Sequence, residues 1–203
     1  MQNLTTQSMK INSVLTPFTD INSFENAQRM AKALATSDMV PKQFSNNIGN
    51  TLLALEMSSR LNMPVFSVLQ NLHVIHGKPS FSASFMIALV NASNRFDTHL
   101  MFEYNENKTS CYAYAMEGDN KIIGTTVTVQ MAQQEGWLGK SGSKWQTMPE
   151  LMLQYRAGAF FARAYVPDLL MGVQSKEEIL DVEAEIMEDE KKDLNAMLLS
   201  KEQ

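Results

Sequence analysis

The chain has 203 residues, of which 44% are hydrophobic and 19% charged, and its formal net charge is −5. This length and composition predict one domain with a real core and exclude disorder of the whole chain. The single cysteine, Cys111, excludes an internal disulfide framework and a zinc ribbon, and it favours a reducing cytosol. No apolar stretch is long enough for a membrane helix, and the first residues lack the apolar run of a signal peptide.

The negative charge is concentrated at the C-terminus. Residues 176–203 contain ten acidic and four basic residues, which is a net charge of −6. Residues 1–175 contain 13 basic and 12 acidic residues, which is a net charge of +1. The overall negative charge therefore comes from the tail. It does not argue against nucleic acid as a partner of the rest of the chain.

Helical periodicity, caps and breakers divide the chain into an arm, a core and a tail. Residues 1–20 are polar without a clear period and predict a flexible arm, while residues 21–175 form the core. Ser175 and Glu178 have the spacing of a capping box, so a last helix should start there and run into the acidic tail, 176–203. Helices are further expected from a cap at Asn22 or Ser23 to residue 35, and over 45–61, 64–69, 82–91, 130–137 and 149–165.

Strand-like runs lie in the middle of the chain. Residues 72–81 read as a β-hairpin with a Gly-Lys turn, and three further runs follow at 98–104, 108–116 and 122–129. Good turn sequences separate these runs, which favours an antiparallel meander. The predicted fold class is therefore α+β, with helices packed around a small antiparallel meander and a hairpin, and with a C-terminal helix.

The sequence contains no recognisable catalytic motif. It has no GxxxxGK[ST] phosphate loop and no GxSxG motif. His73 and His76 are three residues apart in a strand and point to opposite faces, so a shared metal site is not expected. The carboxylates lie mostly in the tail, without a positioned acid/base pair. We expect a protein that is not an enzyme and that needs neither a metal nor a cofactor.

Two arginines stand out in the helix predicted over 149–165. This helix is apolar nearly all round, which indicates burial, yet Arg156 and Arg163 lie two turns apart on one stripe. One interpretation is that internal ion pairs neutralise them, with acids such as Glu25, Glu56 or Asp168. The other is that they face phosphates. The residues alone leave both open.

A loop rich in Gly, Ser and Lys holds both tryptophans of the chain, Trp137 and Trp145. Its Lys140 and Lys144, beside these rings, have the composition of a single-strand binder. We expect the tryptophans to anchor the loop in the core and the lysines to bind. Lys78, in the hairpin turn, adds a further cation, although a solvated turn lysine is the simpler interpretation.

Several segments, in their order and spacing, resemble the RecT family of phage and prophage single-strand annealing proteins, including Redβ-like recombinases. The resemblance covers about residues 24–182. It is carried by residues 67–80 (SVLQNLHVIHGKPS), Met131-Ala132 with 135–137 (EGW), 145–150 (WQTMPE), 152–157 (MLQYRA), 161–163 (FAR), Pro167-Asp168, Gly172 and Glu177-Glu178.

The resemblance implies ATP-independent annealing of complementary DNA strands in phage-type homologous recombination, in the cytoplasm of a bacterial host. It makes residues 21–175 a DNA-annealing core, and it places DNA contacts at Arg156 and Arg163. Lys78, Lys140 and Lys144 are added from charge and position, and Trp145 and Gln154 complete the candidate set.

The implied partners are single-stranded DNA, the annealed duplex intermediate and further copies of the chain in rings or filaments. A 5′→3′ exonuclease and a host single-strand-binding protein are further implied partners, and no membrane is expected. Residues 183–203 are too few for a sizeable C-terminal partner domain.

The alternative function is a non-enzymatic oligomeric scaffold without annealing activity. The acidic tail allows three interpretations: a solvated helix, an autoinhibitory mimic of DNA, or a helix that docks on a neighbouring copy.

Overall fold

The computed structural model describes residues 17–75, 77–139 and 142–179. Their contacts divide the chain into two units, with the boundary between Leu72 and His73. The described part of the first unit is helical, and the second combines helices with two small sheets, so the predicted α+β class is confirmed. Most of the expected arm (1–20) and of the acidic tail (176–203) lies outside the described residues, as do His76 and Lys140.

Three helices form the described part of the first unit. They are α1 (Ile21–Ala35), α2 (Ile48–Leu61) and α3 (Val65–Asn71). The buried residues of α1 are Ala27, Ala31 and Ala35, each one turn after the other. Because alanine is small, α2 can pack closely against this face.

The first helix starts from a different cap than the sequence predicted. Asp20 is the N-cap residue, and its Oδ1 accepts a hydrogen bond from the Ser23 N–H at 2.9 Å. The prediction of Asn22 or Ser23 as the cap is wrong, because the Asp20 carboxylate reaches the unpaired N–H groups of the first turn. Hydrogen bonds from Ser23, first from its hydroxyl and then from its N–H, lower the pKa of Asp20.

The second helix starts three residues later than predicted. Asn46 has a φ of +54°, which lies in the left-handed region and cannot belong to the helix. Asn47 is the cap, and its Oδ1 accepts a hydrogen bond from the Asn50 N–H at 3.0 Å. The helix expected from Ser45 therefore begins at Ile48.

The second unit contains the hairpin, the meander and the long helix that the sequence predicted. The helix predicted from Pro149 to Tyr165 is observed with the same bounds. The described elements are β1 (Leu72–Ile75), β2 (Lys78–Phe81), α4 (Ala83–Ala92), β3 (Met101–Tyr104), β4 (Ser110–Glu117), β5 (Asn120–Ile123), β6 (Val127–Thr128), α5 (Val129–Gln134), α6 (Lys144–Thr147), α7 (Pro149–Tyr165), α8 (Pro167–Leu170) and β7 (Gln174–Ser175), followed by helical residues 176–179.

The hairpin belongs to a three-stranded sheet that the sequence only partly predicted. Its strand order is β1-β2-β7, and β7 is parallel to β2, with Ser80 opposite Gln174 and Phe81 opposite Ser175. A strand of two residues is too short for a recognisable alternating pattern. The C-terminal helix therefore starts directly beside the hairpin.

The predicted meander is confirmed as an antiparallel sheet of β3, β4 and β5, with β6 paired to β4. The last predicted strand, 122–129, is divided into β5 and β6. The break includes Gly124, whose N–H still donates to the Ala113 carbonyl at 2.8 Å. Thr128 ends the strand and caps α5, with its Oγ1 accepting a hydrogen bond from the Met131 N–H at 2.9 Å.

The long helix α7 packs against α4 and against the inner face of β4. That face consists of Cys111, Ala113 and Ala115, which are fully buried and small. Gly158 allows α7 to approach α4 closely. A Cβ at this position would lie only 2.6 Å from Ile87 Cγ1 of α4, which is too close for an ordinary contact. Small residues on both sides thus place α7 at the centre of the second unit.

We expect Gly158→Ala to lower the free energy of unfolding by about 1–2 kcal/mol, because the cost of overpacking exceeds the gain in helix propensity. Gly49→Ala is the matched control, because a Cβ there would meet no atom closer than 3.6 Å. The control should raise stability by up to about 1 kcal/mol. Urea unfolding followed by circular dichroism measures both, and equal stabilisation by the two variants would contradict the close packing.

Candidate nucleic-acid interface

Helix α7 carries both arginines that the sequence singled out. Pro149 opens the helix with Glu150 in its first turn, and the helix ends at Tyr165, two residues before Pro167. Arg156 lies in its buried middle and Arg163 in its last turn. The two residues share a stripe, as predicted, but their surroundings differ.

Arg156 is enclosed by the protein. It is only 4% exposed, and its guanidinium carbon lies 3.9 Å from the centroid of the Trp137 ring and 5.9 Å from that of Phe160. The contact with Trp137 is a cation–π interaction, which is strongest when it is desolvated. Arg156 therefore fixes the loop that contains Trp137 against α7.

Arg163 is exposed and forms an ion pair. Its side chain is 44% exposed to solvent. Its Nη1 contacts Oε1 of Glu178, whose side chain is only 11% exposed. The acids that the sequence suggested as partners were Glu25, Glu56 and Asp168. The observed partner of Arg163 is a fourth acid, which lies in the first turn of the C-terminal helix.

The two tryptophans anchor their loop, as predicted. Both are buried, and their ring centroids lie 5.3 Å apart. Ser143 ties the loop together, because its hydroxyl donates to the Trp137 carbonyl at 2.6 Å and caps α6. Buried Trp145 thus supports its exposed neighbour Lys144 and offers little ring surface to a base.

Gln154 is half-buried and takes part in an internal contact. Its Oε1 lies 3.2 Å from the Tyr104 hydroxyl, which also lies 3.1 Å from the Glu150 carbonyl. Burial first, and then neighbouring Cys111, raise the pKa of Tyr104 to about 12, so the hydroxyl remains a hydrogen-bond donor. Burial likewise raises the pKa of Cys111 to about 11.

Lys78 is exposed at the start of β2, directly after Gly77, which has a φ of +77°. It lies at the rim of an open hollow of about 200 Å³ that Gly172 and Ile179 also line. On the neighbouring strand, burial first and the charge of Lys176 second lower the pKa of His73.

The structure brings some of the candidate cations together around β7. Lys78 and Ile179 line one hollow, and Glu178, the residue before Ile179, holds Arg163. Lys176 lies in the same helical turn. We call Lys78, Arg163 and Lys176 the β7 patch. Lys144 does not belong to it, because it precedes the opposite end of α7.

Sequence reasoning missed Lys176 and Glu178 as members of this region. The capping box was predicted and is confirmed, because the Glu178 N–H donates to Ser175 Oγ at 3.2 Å and the Ser175 N–H donates to Glu178 Oε2 at 3.0 Å. No local sequence pattern indicates that Glu178 also binds Arg163, because the two residues are far apart in the sequence. No sequence pattern predicted the parallel pairing of β7 with β2 either.

The described residues contain no group of three or more histidine, cysteine, aspartate or glutamate side chains that could hold a metal ion. None of the described helices is both long and apolar enough to span a membrane.

Comparison of the chain with protein-family models, with curated proteins and with solved structures found no match. The resemblance to the RecT family therefore depends on the ordered motifs of the sequence alone.

We expect the two arginines to respond differently to truncation. Arg156→Ala should lower the free energy of unfolding by about 1–3 kcal/mol, because it removes a buried cation from the Trp137 face. Arg163→Ala should change it by less than about 1 kcal/mol, since its ion pair is partly exposed. Urea unfolding followed by tryptophan fluorescence tests both, and equal losses would contradict the assigned environments.

Proposed function

We propose that the chain binds single-stranded DNA and anneals complementary strands without ATP. The observation that carries this proposal is the β7 patch, in which exposed Lys78, exposed Arg163 and half-buried Lys176 come from three different elements around β7 on a packed support. Cations that rigid elements hold in place bind phosphates without sequence preference. The motifs of residues 24–182 add independent support from the sequence.

Annealing demands little chemistry from the protein. DNA stacking releases about 1.4 kcal/mol per base-pair step, so the reaction is downhill and needs no hydrolysis. The protein has to neutralise phosphate repulsion and hold a strand with its pairing edges outward. In this proposal Lys78, Arg163, Lys176 and Lys144 contact phosphates.

Arg156 acts in this proposal as a positioning residue. Its guanidinium is buried on Trp137, and the same loop continues to Lys144. Arg156 therefore acts on the strand through the loop. This differs from the direct contact that the RecT resemblance implies for it.

Assembly supplies the affinity that one subunit lacks. With a net charge of +1 over residues 1–175, each copy offers few cations. Several copies in a ring or filament multiply weak contacts along one strand. An exonuclease and a host single-strand-binding protein belong to the same proposal as suppliers of the strand, and the cytoplasm of a bacterial host as its place.

A second candidate function, an oligomeric scaffold without annealing activity, is favoured by exposed apolar side chains in the first unit. Ile21 is 77% exposed, Met39 69% and Leu53 57%. Large apolar side chains on a surface often mark contacts with other proteins. This candidate predicts assembly that does not depend on oligonucleotides.

The annealing proposal is tested by mixing two complementary oligonucleotides sequentially with the protein, without ATP, and following duplex formation. Arg163→Ala should slow annealing and weaken single-strand binding about three- to tenfold, and it should reduce the slope of log affinity against log salt by about 0.7. Lys144→Ala should reduce the slope by a similar amount.

Arg95→Ala is the matched control for Arg163→Ala, because Arg95 is also an exposed arginine in an ion pair, with Glu117. It should leave binding within twofold of the wild type. Equal weakening by both variants would show a general charge effect. Assembly without any oligonucleotide binding would establish the scaffold instead.

A further inference from the structure

Glu178 has two structural roles at once. Its Oε2 accepts the Ser175 N–H at 3.0 Å and so completes the capping box of the C-terminal helix. Its Oε1 contacts Nη1 of Arg163. Because each oxygen has its own partner, the carboxylate is fixed in position.

The carboxylate contacts Nη1, one of the nitrogens through which the guanidinium could also bind a phosphate. Guanidinium groups bind carboxylates and phosphates through the same fork of N–H donors. Glu178 is 11% exposed and approaches from the protein side, whereas 44% of the Arg163 side chain faces solvent. An anion from solvent and Glu178 thus compete for one cation.

We propose that Glu178 is an autoinhibitory contact, which a phosphate of single-stranded DNA displaces from Arg163. This inference rests on the proposed function and names the regulation of the same site. Displacement costs the protein an ion pair and loosens the first turn of the C-terminal helix. Because coupling is reciprocal, any change that loosens this turn also strengthens binding of the strand.

Glu178 lies in the helical turn that directly follows β7. Ser175 ends β7, which is paired with β2, so the cap itself is anchored to the hairpin sheet. The helix that begins at 176 carries the acidic tail in the sequence.

The test uses two substitutions that remove the same charge from the same helical turn. Glu178→Gln keeps the cap, since glutamine at this position also accepts the Ser175 N–H, but it removes the ion pair. Glu177→Gln is the control, because the same change at the neighbouring residue leaves the Arg163–Glu178 pair in place. Binding of labelled oligothymidine is measured by fluorescence anisotropy in the full chain at constant salt.

Glu178→Gln should tighten oligothymidine binding about three- to tenfold, and Glu177→Gln should stay within twofold of the wild type. In an Arg163→Ala background, Glu178→Gln should have no effect, because the two residues act as a pair. Equal tightening by the two glutamine variants would reduce the effect to overall charge and overturn the proposal. Weaker binding by Glu178→Gln would overturn it too, since Glu178 would then position Arg163 for DNA.

A second measurement needs no DNA. Phenylglyoxal modification of Arg163, followed by mass spectrometry, should be faster in Glu178→Gln than in the wild type and in Glu177→Gln. An unchanged rate of Arg163 modification would show that Glu178 does not shield Arg163, and it would overturn the proposal. If labelling rises but no variant binds oligothymidine, the proposed function and the displacement by phosphate both fail. If the wild type binds DNA and Glu178→Gln binds no tighter, only the displacement fails.

Discussion

The close contact between α7 and β4 is the constraint on which the second unit depends. The inner face of β4 consists of small side chains, those of Cys111, Ala113 and Ala115. Where α7 meets α4, Gly158 has no side chain that would separate the two helices. A helix held this closely on two sides cannot shift or rotate without steric clashes. Every residue of α7 therefore has a defined direction, either into the unit or out of it.

This constraint separates two arginines that the sequence presents as a pair. Arg156 faces the Trp137 loop and is buried, while Arg163, at the end of the same stripe, emerges beside the C-terminal helix. The enclosed guanidinium stabilises the loop, and the emerging one is partly exposed and paired with Glu178. One helix thus holds a buried guanidinium and an exposed one on the same stripe.

The sequence predicted those elements whose signals are local. Pro149 and Pro167 bracket α7, the Ser175–Glu178 spacing marks the last helix, and the turns of the meander are correctly placed. Local signals also compete, and the cap of α1 shows this, since Asp20 is preferred to the nearby Asn22 and Ser23. The division of the predicted strand 122–129 reflects a glycine within a β-prone run.

The candidate site was predictable in its residue types but not in its contacts. Charge and position marked Lys78, Lys144 and Arg163 as cations of interest, whereas only the fold reveals that Glu178 holds Arg163 and that Trp137 covers Arg156. Both contacts join residues that are distant in sequence. Periodicity and motif spacing describe neighbours along the chain, so they do not predict such pairs.

The parallel pairing of β7 with β2 also has a consequence for synthesis and folding. Ser80 and Gln174 stand opposite one another although nearly the whole second unit lies between them in the sequence. The sheet cannot close before the ribosome has released residue 174, and contacts of such long range form slowly. The turn that places Glu178 on Arg163 is built on this last strand. A nascent chain therefore carries Arg163 without its Glu178 partner until residue 178 has been added.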